Sequence, residues 1–274
     1  MPRRFAFHAS PLVALALLCA VQTARAESET PPATGTVEYK QGNATLKGYL
    51  ATPATANPGG KIPGVVVVHE WWGLNDYAKQ RARDVAGLGY VALAADIYGD
   101  GQVTAKPEEA GRWATKYKND RALLRARVLA AVETLKKDPR VDPQRIAVIG
   151  YCFGGTTALE AARSGADIAG IVSFHGGLVS PHPEDAKNIK GKVLVLHGAE
   201  DPASPAADVA AWQEEMRQAK VDWQLVLYGN AVHGFTNKGN PLDGKVVAYN
   251  AEADQRSWAE MTRFLAEIFT KKAQ

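Results

Sequence analysis

The segment Ile146-Ala-Val-Ile-Gly150-Tyr-Cys152-Phe-Gly154-Gly-Thr156 constrains this chain more than any other. An apolar run, a glycine, a cysteine, two more glycines and a helix-forming stretch match the pattern G-x-nucleophile-x-G. Small residues two positions before and after the nucleophile let a strand and the following helix approach closely enough for a strained turn, which lifts the reactive atom above a sheet. At the start of that helix a thiol also meets the positive end of the helix dipole, which favours thiolate. The alternative is a small buried cysteine beside a glycine-rich turn. A phosphate loop is excluded by spacing, since neither G-x-G-x-x-G nor a G-K-[ST] ending is present.

Residues 1–26 read as an export signal. Arg3-Arg4 precedes an apolar run from about Pro11 to Val21, and Ala24-Arg25-Ala26 supplies an A-x-A cleavage site, so the mature chain is expected to begin after Ala26. The apolar run is short of the roughly 20 residues that span a bilayer. Leu18 before Cys19 argues against lipid attachment, and Arg3-Arg4 hints only weakly at twin-arginine export. A periplasmic or secreted location without stable membrane association follows. The signal carries Arg3, Arg4 and Arg25 but no acid, so the remaining basic residues match the 29 Asp and Glu. No basic field suggests nucleic acid. Of two cysteines, Cys19 leaves with the signal, and the unpaired Cys152 of an exported chain is flagged as reactive.

Along the rest of the chain, Thr36–Lys40 and Leu46–Ala51 alternate as an antiparallel hairpin, and Pro53 to Pro63 is a Pro/Gly-rich loop. Val65–Val68, Tyr90–Ala95, Ile168–Phe174, Val193–Leu196 and Trp223–Tyr228 read as buried strands. Helices are expected over 76–86, most of 107–137, 155–163, 205–219 and 251–269, with Asp138-Pro and Asp142-Pro turning into the Cys152 strand. The alternation predicts one α/β domain over residues 27–274: a mostly parallel, doubly wound sheet preceded by the hairpin, with its site at the strand carboxyl ends.

A thiol nucleophile needs a base, and the base needs an orienting acid; on this scaffold they follow in the order nucleophile, acid, histidine. Asp201, in His197-Gly-Ala-Glu-Asp201-Pro beyond an apolar strand, is the expected acid, with Glu200 its nearest rival. His233, in the loop after the next strand, is the expected base. His175 and His197 precede the acid and read as structural or pocket-lining, and His182 between prolines as surface. No H-E-x-x-H or comparable spacing appears, so neither metal nor cofactor is expected. The oxyanion donors expected are the N–H groups of Phe153 and Trp71.

The stretches Val68-His-Glu70-Trp-Trp-Gly-Leu-Asn75, Ala95-Asp-Ile-Tyr98, Gly150–Gly155, His197–Asp201 and His233-Gly-Phe235 resemble the dienelactone hydrolases (carboxymethylenebutenolidases), α/β-hydrolases with a cysteine nucleophile. The resemblance covers essentially the whole mature chain. It implies a Cys152-His233-Asp201 triad with Glu70 as a fourth partner, which holds the resting thiol and takes its proton when substrate binds. It also implies arginines for a substrate carboxylate, one of them shortly after the catalytic histidine, where Phe235-Thr-Asn-Lys238-Gly carries only a lysine; Arg112 and Arg121 are cations elsewhere. Trp72, Tyr98, Phe235 and Lys238 are the expected pocket residues. The expected activity is cleavage of a small ester or lactone by a monomer through an acyl-enzyme. Acyl transfer or thioester hydrolysis by the same machinery, a binding protein with an inert Cys152, and a redox thiol protein are the alternatives, the last weakened by the lack of a resolving cysteine.

Overall fold

The computed structural model describes residues 30–54, 60–241 and 243–270. The export signal expected over 1–26 and part of the Pro/Gly-rich loop lie outside the described residues. Eight strands, β1 (Ala33–Gln41), β2 (Ala44–Thr52), β3 (Ile62–Val68), β4 (Val91–Ala95), β5 (Val141–Tyr151), β6 (Gly170–Phe174), β7 (Lys192–Gly198) and β8 (Trp223–Tyr228), form one sheet in the order β1-β2-β4-β3-β5-β6-β7-β8. The pairs β1/β2 and β2/β4 are antiparallel and every other pair is parallel. This is a mostly parallel α/β sheet with an antiparallel N-terminal hairpin.

Side-chain alternation along the strands divides the core. Val66 and Val68 of β3 join α3 (Arg121–Lys136), α4 (Phe153–Arg163) and α5 (Ala206–Ala219) on one face. Val65 and Val67 join α1 (Asp76–Gly87) and α6 (Ala251–Phe269) on the other. Continuous apolar strands are the sequence form of a sheet covered on both faces.

The chain steps outward from β3 to β4, then returns to lay β5 on the other side of β3. Ligands of open α/β sheets bind at such a reversal, outside the strand carboxyl ends. The loop after β3 and the turn after β5 bring Glu70, Trp71 and Cys152 to that crevice.

Several boundaries differ from expectation, among them β3, which starts at Ile62 and takes in Pro63 from the expected loop. Helix α4 starts at Phe153, directly after the cysteine. The helical region 107–137 divides into α2 (Pro107–Asn119) and α3 because Asp120 turns away from helical geometry and caps Leu123 N at 2.9 Å. Strand β5 begins at Val141, with Pro143 inside it: residues between Val141 and Ile146 oppose only Ile62 to Gly64, and a bulge of this kind tolerates a residue without an N–H. A short 3-10 helix at Pro183–Asn188 has no counterpart in the sequence reading.

Helix α4 is anchored at its far end. The fully buried Arg163 donates through Nε and Nη2 to both Glu215 oxygens at 2.7 and 2.8 Å, and through Nη1 to Glu160 at 3.1 Å. A paired buried guanidinium of this kind is costly to break, which holds the helix that Cys152 caps.

Candidate active site

Cys152 has φ 55° and ψ −115°, outside the ordinary regions for a non-glycine residue, and it is the N-cap of α4. The turn is feasible only because its neighbours lack side chains. A Cβ on Gly150 would lie 2.0 Å from Gly154 O, and one on Gly154 would lie 2.3 Å from Val68 O. Strand, turn and helix therefore meet backbone to backbone, and the half-buried thiol projects over the sheet edge.

His233 lies in the loop after β8. Its Nε2 is 3.0 Å from Cys152 Sγ and its Nδ1 is 2.8 Å from Asp201 Oδ2. Asp201, in the turn three residues past β7, is nearly fully buried, and its other oxygen accepts from Ala203 N at 2.8 Å. A carboxylate oxygen only accepts here, so His233 Nδ1 carries a proton toward it and Nε2 faces the thiol. Burial works against charge on His233, but the facing Cys152 thiolate and the Asp201 hydrogen bond outweigh it and carry the imidazole up to about 11.

Glu70 is buried, and its Oε2 accepts from Asn237 Nδ2 at 2.8 Å. The carboxyl is directed to Asn237 while the thiol is directed to His233. Burial raises the Glu70 pKa above its ordinary 4.5, against the opposing pull of Asn237, His233 and Arg81. His69, fully buried and kept neutral by that burial, donates from Nδ1 to Glu70 O at 2.5 Å. That carbonyl belongs to the peptide unit whose N–H is Trp71's, so the direction of the Trp71 N–H is set by a buried ring. The Phe153 N–H lies in the first turn of α4, where N–H groups lack helical acceptors.

Comparisons with known proteins place the chain in a family. The sequence profile of the dienelactone hydrolase family matches residues 46–269. The chain belongs to the dienelactone hydrolase family. A protein of Methylorubrum extorquens whose name assigns it provisionally as a carboxymethylenebutenolidase is 30% identical over 253 residues, spanning 88% of this chain and 84% of its own. The solved structure described as m3DLH superposes with TM-score 0.84 at 45% identity, covering 88% of this chain and 100% of its own. One described as a dienelactone hydrolase-like promiscuous phosphotriesterase, P91, from metagenomic libraries superposes with TM-score 0.82 at 42% identity and the same coverage. With the sheet above, these establish an α/β-hydrolase fold and a hydrolase of ester or lactone bonds that takes a small-molecule substrate.

In this member of the family the aromatic residues divide. Trp71 and Trp72 are half-buried with ring centroids 4.8 Å apart, and Trp113 of α2 packs on Tyr98 at 5.3 Å. Tyr98 is buried and donates to Trp71 O at 3.0 Å. Phe235 is corrected: it is fully buried against Tyr228 and His175, in the core shared with α1 and α6, and so is no wall of an open pocket. Lys238 and Arg112 are exposed; Arg121 stands near the Arg163–Glu160 cluster. His182 is exposed beside Glu184. His197 donates from Nε2 to Ser204 O at 2.9 Å, in the turn that follows Asp201. The sequence reading missed Asn237 as the partner of Glu70, and Thr236 and Arg81 behind His233. Their separations in sequence carry no motif. No helix among the described residues is long and apolar enough to cross a membrane.

Proposed function

We propose that this enzyme cleaves small neutral esters or lactones through a Cys152-His233-Asp201 triad and a covalent thioester. The observation that carries the reading is the unbroken contact from Sγ through the imidazole to a buried carboxylate, at 3.0 and 2.8 Å. Sγ attacks the substrate carbonyl carbon, and the tetrahedral oxyanion is held by the N–H groups of Trp71 and Phe153. Collapse breaks the bond to the leaving oxygen, which takes its proton from His233 Nε2. His233 then deprotonates a water that attacks the thioester and releases the acid and the thiol. Asp201 holds the imidazole in the required tautomer throughout.

A neutral substrate is favoured because Glu70 and Asp201 are the buried carboxylates at the crevice, while Lys238 and Arg112 are exposed. A lone ammonium does not reproduce the bidentate grip of a guanidinium on a carboxylate. The test is turnover by wild type and Cys152→Ala of a panel of activated neutral esters, lactones, an anionic lactone and an activated phosphotriester, the last because of the P91 relative. Neutral esters cleaved by wild type alone are the expected result. Equal turnover by Cys152→Ala sinks the proposal.

Glu70, in this reading, swings from Asn237 to accept the thiol proton when substrate enters. A thiol left neutral at rest resists oxidation, which suits an exported monomer whose residues 1–26 are removed after Ala26. An exported product with its N-terminus at Glu27 is the corresponding check. Glu70→Gln is expected to lose the acid limb of the kcat/KM profile, a limb that lies above the ordinary carboxylate range because burial raises the Glu70 pKa. Its stability moves the other way. With the folded pKa above the unfolded one, proton binding stabilises fully below about pH 4.5 and this contribution is lost as pH rises through the folded value. The buried carboxylate thus costs stability at neutral pH. Glu70→Gln should raise Tm at pH 7 by about 2–4 °C, the response to about 1 kcal/mol in a chain of this size, with the gain vanishing in acid. A lower Tm at pH 7 counts against this account.

A further inference from the structure

Behind the reacting groups runs a buried polar thread that the chemistry above leaves unused. His175 follows β6, is fully buried and holds φ 39°. Its Nδ1 lies 3.1 Å from Cys152 N, and its Nε2 lies 2.8 Å from Thr236 Oγ1. Thr236 Oγ1 is 2.7 Å from the Tyr77 hydroxyl, which accepts from Arg81 Nε at 3.3 Å. Arg81 Nη2 in turn donates to Thr236 O at 2.7 Å and to Asp254 of α6 at 2.6 Å.

The hydrogen bonds determine the tautomer. A backbone N–H only donates, so Nδ1 is the acceptor and the ring proton sits on Nε2, donated to the threonine hydroxyl. Cys152 N also reaches Phe174 O at 3.0 Å, so the amide of the strained residue is held from two sides. Thr236 lies three residues after His233, in the same loop. A single side chain thus spans the nucleophile turn and the base loop.

We propose that His175 is a positioning residue that ties the Cys152 turn to the His233 loop and keeps Sγ and Nε2 in contact. The inference rests on the triad reading above. The ring suits the place because it adds no charge beside His233, whose centroid is 5.2 Å away. Burial, reinforced by the facing His233 and His197 and by Arg81, keeps the His175 pKa well below its ordinary value. The other rings against it, Tyr151 and Phe235, carry no charge at neutral pH. An imidazolium here would surrender the bond to Cys152 N and repel a charged His233.

Three variants separate the links. His175→Phe fills the ring volume with neither hydrogen bond. In His175→Asn, Oδ1 stands where Nδ1 was and the residue tolerates positive φ, but the side chain falls short of Thr236. Thr236→Val cuts the thread from the far side with His175 in place. For each, kcat and KM on an activated ester, the pH profile of Cys152 alkylation by iodoacetamide and Tm are measured. His175→Phe is expected to lower kcat by about 10- to 100-fold with KM within about threefold, the scale on which misplaced reacting groups lose rate. Its alkylation profile should move along the pH axis, and the other two variants should fall between it and wild type.

Wild-type kcat and alkylation profile in folded His175→Phe would overturn the inference, as would losses in Tm alone with rate per folded molecule unchanged. If His175→Phe does not fold, His175→Asn and Thr236→Val decide on the same readouts. Turnover surviving in Cys152→Ala would instead remove the triad reading itself, so the two failures are distinct.

Discussion

His233→Ala lowers kcat for ester cleavage by about four to six orders of magnitude, the loss seen when one member of a cooperating triad is removed. In the proposed chemistry the side chain faces Cys152 Sγ, gives the leaving oxygen its proton and then deprotonates the attacking water, so neither half of the reaction escapes. Asp201→Asn follows at about 10⁴-fold, because an amide leaves the His233 tautomer undetermined. The fold survives His233→Ala, since the loop is held by backbone: His233 bridges Val247, and its carbonyl accepts from Ala248 N at 3.1 Å. Steady-state kinetics beside circular dichroism read both parts. A variant within tenfold of wild type on a hydrolysable ester contradicts the assignment of His233 as base.

Gly154→Ala is expected to have a large structural effect. The added Cβ would stand 2.3 Å from Val68 O and 2.7 Å from His69 O, both backbone atoms at the end of β3 that no rotamer change can move. Either α4 withdraws from the sheet or β3 shifts, and each breaks the turn that carries Cys152. A cost above about 4 kcal/mol is expected, hence a Tm fall of about 10 °C or more, or no folded protein. Gly87→Ala is the control: nothing lies within 4 Å of its Cβ, φ is not positive, and removing glycine from the end of α1 should stabilise slightly. A Tm of Gly154→Ala equal to that of Gly87→Ala would contradict the close approach.

These glycines also mark what could be read without coordinates. Gly150 and Gly154 are legible because a nucleophile turn needs them at fixed spacing, and Val65–Val68 because a strand buried on both faces has no polar alternation. Asp201 and His233 follow from the order of groups past successive strands. Other features depend on packing across distance. The start of α4 is set by the Cys152 backbone rather than by any helix former, and Pro143 sits inside β5 because a bulge removes the need for its N–H. Phe235, beside His233 in sequence, turns into the core. Asn237 meets Glu70 only after the loop from β8 folds over the sheet edge, and His175 meets Cys152 N because β5 and β6 pair with Tyr151 opposite Phe174; neither contact is encoded in periodicity or motif.

The most direct test of the account is the intact mass of wild type and Cys152→Ala acid-quenched during turnover of an activated ester, with peptide mapping. The account predicts one acyl group on wild type, located at Cys152, and none on the variant. Turnover by wild type with no acyl adduct under conditions of rapid acylation, or an adduct at a residue other than Cys152, would contradict it.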